Sequence, residues 1–190
     1  YAALGAKPKF NISYVEKFYD LDYLKNWLDE TRWNDFIEHS NDIDNKIMNI
    51  GVVLQYQRDF LENEKAKMAI EFLYEYLDSK KNKDTGMWGK CNISNPYELS
   101  RTVQFSYHLY MLYFYDKKEI NYLEEIVDTT IKSIKECPIF KDGVGEGCHD
   151  MDHFVILEQG LKQTNGYREN DIKSIVSQRL EQLEVMKKLD

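Results

Sequence analysis

An all-α fold of tandem helical hairpins is predicted by three observations. Apolar residues recur at helical rather than alternating spacing. Segments apolar nearly all round alternate with segments apolar on one face. Proline, the strongest helix breaker, occurs only three times in 190 residues.

The elements follow in order. Tyr14, Val15, Phe18 and Tyr19, then Leu24, Trp27 and Leu28, mark one or two irregular N-terminal helices within residues 1–43. From residue 44 to 190 three hairpins are expected, each an inner helix followed by an outer one. The inner helices are the nearly all-apolar segments, near 44–59, 96–115 and 149–164; a helix apolar on every side is a buried helix. The second has a clear start, with Asn95 as cap, Pro96 at the first helical position and Glu98 completing a capping box. The outer helices are amphipathic. Ala66, Ala69, Ile70, Leu73, Tyr74 and Leu77 mark the first, Leu123, Ile126, Val127, Thr130, Ile131 and Ile134 the second, and Ile172, Ile175, Val176, Leu180 and Leu183 the third.

The composition is that of a folded domain, 43% hydrophobic, 31% charged and 14% aromatic. The net charge of −8 and the lack of a basic cluster argue against a nucleic-acid partner. Lys80-Lys81-Asn82-Lys83 ends a helix, where positive charge complements the helix dipole. The most apolar run, Phe105 to Tyr115, is too short to cross a bilayer and carries His108. Cys91, Cys137 and Cys148 are odd in number, so a reducing, cytoplasmic setting is expected. The chain begins at Tyr1 without an initiator Met, so it is read as a possible piece of a larger protein.

Two loops repeat a pattern. Lys83-Asp84-Thr85-Gly86-Met87-Trp88-Gly89-Lys90-Cys91 follows the first outer helix, and Lys141-Asp142-Gly143-Val144-Gly145-Glu146-Gly147-Cys148 follows the second. Each has an Asp, then glycines, then Cys, then a buried helix, as expected of equivalent turns in successive repeats. Asp84-Thr85-Gly86-Met87-Trp88-Gly89 resembles the Asp-Gly-x-Trp-Gly loop of the terpenoid cyclase and protein prenyltransferase superfamily. The resemblance covers residues from about 44 to the C-terminus. It implies an α/α toroid or part of one, with inner helices around a central cavity. The acid motif of the protonating cyclases is missing, and Asp150-Met151-Asp152-His153 is its nearest approach. The Asp-rich magnesium motif of the ionising synthases is missing too. Such a likeness bears on architecture more than on activity.

Polar residues at matched positions of the inner helices are the candidate site. Aligned by their starts, Asn45, Ser100 and His149 fall together, as do Asn49, Gln104 and His153, with Lys46, Arg101 and Asp150 as a neighbouring set. Polar groups on buried helices either line a shared polar cavity or satisfy one another structurally. On the cavity reading His108, Asp150, Asp152 and His153 carry acid/base chemistry, since a His–carboxylate pair suits proton transfer near neutral pH. Lys46, Asn49, Trp88, Arg101 and Gln104 then bind a small polar or glycan-type ligand. Arg101, Gln104 and His108 lie on one stripe, and Arg101 is expected near Asp150 or Asp152. Cys148-His149, with Cys91, also resembles the zinc ligands of the lanthionine synthetase C-like cyclases, which share the α/α toroid. That resemblance implies a zinc site at Cys91, Cys148 and His149, although Asp150 stands where that family has Gly; otherwise no cofactor is expected. An isoprenoid cyclase or transferase and a non-catalytic partner-binding module remain alternatives.

Overall fold

The computed structural model describes residues 12–37, 42–141 and 148–186. The fold is all-α. Among the described residues there are nine helices and no strands beyond one isolated antiparallel bridge between Lys81 and Trp88. A 3-10 helix, Ser13–Tyr19, leads into α1, Leu21–Asp29, which Asp20 caps through the backbone N–H groups of Asp22 and Tyr23. The three expected inner helices are α2 (Ile43–Leu61), α4 (Pro96–Asp116) and α7 (Cys148–Gln163). The helices expected to be outer are α3 (Glu64–Lys80), α5 (Leu123–Glu136) and α8 (Glu169–Met186), with the short α6, Pro138–Lys141, between α5 and α7.

Helix starts follow the local chemistry. Asn63 caps α3 by accepting from the N–H groups of Lys65 and Ala66, and Asn95 caps α4 by accepting from those of Tyr97 and Glu98. Glu98 departs from the expected capping box. It accepts from the side chain of Asn95 and the N–H of Asn92 rather than from the cap's own backbone N–H.

The central element is α4, which packs against α2 on one side and against α5 and α7 on the other. Helices α2 and α4 run parallel. Asp44 pairs with His108, Gly51 abuts Leu112 and Arg58 pairs with Asp116, so residue numbers rise together along both. Most of the core lies between these helices and α3, around Leu54, Leu73, Leu77, Trp88, Tyr110 and Tyr113. A second cluster joins α5, α7 and α8 through Val127, Ile131, Leu157 and Ile172. Glycine allows two close approaches. A Cβ on Gly51 would stand 2.5 Å from Leu112 Cδ1, and one on Gly160 would stand 2.4 Å from Val127 Cγ2.

The loop at 83–91 joins the first hairpin to the second. Gly86 and Gly89 take positive φ, 68° and 84°, as its expected turn requires. Thr129 Oγ1 donates to Thr85 O, Tyr110 OH donates to Gly86 O, and the N–H of Trp88 donates to Ser106 Oγ. The expected partner loop, 141–148, lies largely outside the described residues. One expectation is corrected. Helix α2 is not apolar-buried all round, because Val52 and Phe60 stand 49% and 40% exposed on it.

Candidate functional site

The three inner helices each contribute an ionisable group to one region. Asp44 lies in the first turn of α2, fully buried. His108 lies past the middle of α4, and its side chain is 19% exposed. Its Nδ1–H donates to Asp44 Oδ2 over 2.6 Å. Asp152, buried in α7, supplies the third charge; its field reaches both His108 and Tyr107. Burial works against a charged imidazole, but the hydrogen bond and charge of Asp44 outweigh it, with Asp152 and Asp42 adding. The pKa of His108 is therefore held above its ordinary value. Burial, and then the charge of Asp152, push the neighbouring Tyr107 phenol up.

Arg101 and Gln104 precede His108 on the same stripe of α4. The Arg101 guanidinium donates to Gln104 Oε1 over 2.9 Å and lies 5.6 Å from the centre of the Tyr97 ring. Arg101 is partly exposed and Gln104 buried. The arrangement is chemically simple: a carboxylate-oriented imidazole, a second carboxylate from a neighbouring helix, and a guanidinium a short way along the same helix.

Other expected site residues lie elsewhere. His153 is fully buried with both ring nitrogens engaged: Nδ1–H donates to the carbonyl of His149 over 2.8 Å, and Ser133 Oγ donates to Nε2 over 2.9 Å. Burial lowers its pKa to about 3, and Phe140 packs edge-on at 4.8 Å. His153 is thus a neutral structural link between α7 and α5. Asp150 is not the partner of Arg101. It faces α8, where Arg179 holds it through three contacts of 2.9 to 3.2 Å. Trp88 is core, not lining: it is 1% exposed, its indole N–H donates to Leu77 O over 2.7 Å, and its ring packs on Tyr110. Lys81 closes that cluster, its ammonium 2.9 Å from Asp78 and within 5.2 Å of the Trp88, Tyr110 and Tyr113 ring centres. Asn49 and Lys46 are exposed on α2 rather than turned inward.

The proposed zinc set is spread over three environments. Cys91 is half-buried beside Thr102 and Glu98, Cys148 is exposed at the start of α7, and His149 is buried. Among the described residues no three His, Cys, Asp or Glu side chains are gathered in a way that can hold a metal ion. No helix among them is long and apolar enough to cross a membrane.

Sequence reasoning missed three residues: Asp44, Ser133 and Arg179. Asp44 reads as an ordinary first-turn acid, favourable to the helix dipole wherever it points. Arg179 and Ser133 sit on amphipathic outer helices, where a polar residue reads as solvent-facing.

Compared with family models, curated proteins and solved structures, the chain matches none.

Proposed function

We propose that the chain is an enzyme-like hairpin array of the α/α-toroid type, acting on a small polar or glycan-type substrate. His108 is its proton-transfer group. The observation that carries this is the 2.6 Å bond between His108 Nδ1 and Asp44 Oδ2, with Asp152 approaching from the third inner helix. A carboxylate on one ring nitrogen fixes the tautomer and orients the imidazole, which is how a general acid or base is prepared. A pKa above the ordinary value favours the charged ring near neutral pH, and so favours the acid role. Asp44 acts as the positioning residue. Arg101 and Gln104, on the same stripe, supply donors for a carboxylate or for vicinal hydroxyls.

The test is a panel of neutral and uronate-containing oligosaccharides. Binding is followed by saturation-transfer NMR and conversion by mass spectrometry. One class is expected to bind and react, and His108→Ala is expected to lose at least about a hundredfold in turnover, the usual scale of acid–base catalysis, with unchanged circular dichroism. A panel that neither binds nor reacts overturns the substrate class. A His108→Ala protein with full turnover overturns the role of His108.

A further inference from the structure

Helix α8 is held to the rest of the fold unevenly along its length. Its first half is tied at several points. Tyr167 OH and Arg168 Nη1 donate to Asp128 of α5, and Lys135 pairs with Asp171 at 3.3 Å. Ile172 and Ile175 are buried in the cluster that contains Val127 and Ile131. The second half, from residue 176 onward, is different. Among its described side chains Arg179 alone is buried. Val176, Leu180 and Leu183 are 36%, 57% and 38% exposed. Space flanks this half on both sides. One groove, of about 370 Å³, is lined by Phe154, Val176, Leu180 and Leu183 among others. The other, of about 310 Å³, is lined by Phe140, Phe154, Gln178 and Gln182 among others. Phe154 and Arg179 line both, so this half of α8 rests on a narrow ridge. Close packing on either flank, which holds a helix face down, is missing here.

The strong contact on that ridge is ionic. Arg179 Nε donates to Asp150 Oδ1 at 3.0 Å and Nη2 donates to Oδ2 at 2.9 Å. The two side chains are 6% and 22% exposed, so salt screens the pair little. Nη1 donates to Gln182 within the same helix. A helix of a few turns is marginal in water by itself, so its order depends on what docks it.

We propose that the second half of α8 is an order–disorder switch latched by Arg179 on Asp150. Residues 176–186 are helical while the pair is closed and unwind as one unit when it opens. Opening uncovers Phe154 and Leu157 of α7. The first half of α8 stays in place, because Asp128, Lys135 and the buried Ile172 still hold it.

Amide hydrogen exchange followed by NMR, with and without low urea, tests this. In the wild type the amides of residues 177–184 should share one opening constant, larger than that of α4. They should respond little to urea, because a local opening exposes little surface. Asp150→Ala and Arg179→Met each remove one side of the latch. Each should speed those amides by about twentyfold or more while α4 and α5 keep their protection. Lys135→Gln breaks an exposed pair on the other half and should change them by about threefold or less. Wild-type amides at 177–184 as slow as those of α4 overturn the proposal. So does a rate that climbs steadily toward residue 184, which is end fraying. A latch variant that exchanges like wild type, or that speeds α4 equally, overturns it as well.

Discussion

His153 donates through Nδ1 to the carbonyl of His149 while Ser133 donates to its Nε2, so one buried imidazole joins two turns of α7 to α5. With the carbonyl accepting, Nδ1 must carry the proton and Nε2 must be bare. Burial therefore holds this ring neutral, with its pKa lowered to about 3. The folded protein binds fewer protons here than the unfolded chain between about pH 6.5 and pH 3. Stability should fall as pH falls through that window, by up to about 1.4 kcal/mol per unit from this group. Urea unfolding at pH 7, 6, 5 and 4 measures the slope, and His153→Gln should flatten it. An unchanged slope in the variant assigns the acid sensitivity elsewhere.

Gly160 meets Val127 too closely for any side chain. Gly160→Ala should destabilise the protein by about 1–3 kcal/mol through overpacking. Gly86→Ala should cost a similar amount, because positive φ adds to a clash with Ile126 and the Tyr122 carbonyl. Thermal melts of the two variants check this. Melting temperatures within a degree of wild type would contradict the described packing.

Asp116 binds Arg58 through two oxygens, at 2.6 and 2.8 Å, and accepts from Tyr74 OH at 2.6 Å. Both carboxylate partners sit where water has limited access. Asp116→Ala should cost about 1–2 kcal/mol, since it removes one acceptor while Arg58 keeps Asp59 and Tyr74 OH turns to the Leu112 carbonyl. Arg58→Met should cost more, since it leaves the neighbouring Asp59 and Asp116 carboxylates without their shared cation. A smaller loss for Arg58→Met than for Asp116→Ala would contradict the shared-cation arrangement.

The sequence made the helices legible because each is written in its own periodicity. The inner helices fell where their apolar runs lie, and the cap at Asn95 is a local signal. The site was less legible because it depends on register between helices. Aligning α2 and α4 by their starts places Asn45 beside Ser100, whereas the folded chain sets Asp44, in the first turn of α2, against His108, past the middle of α4. That offset comes from tertiary contacts such as Gly51 on Leu112, which no local pattern records. Asp150 and Asp152 differ for a similar reason. They are two residues apart on one helix and so face opposite neighbours, Arg179 in one case and α4 in the other.

The central claim is that Asp44 prepares His108 for proton transfer. It is tested most directly by NMR titration of the His108 ring in the wild type and in Asp44→Asn. Sign follows from the pair: a raised folded pKa means that this group's contribution to stability is fully present below about pH 6.5 and is lost as pH rises through the folded value. The wild-type ring should titrate above the ordinary histidine value, and the Asp44→Asn ring below its wild-type position. A wild-type His108 that titrates at the ordinary value, and does not move when Asp44 is changed, would contradict the account.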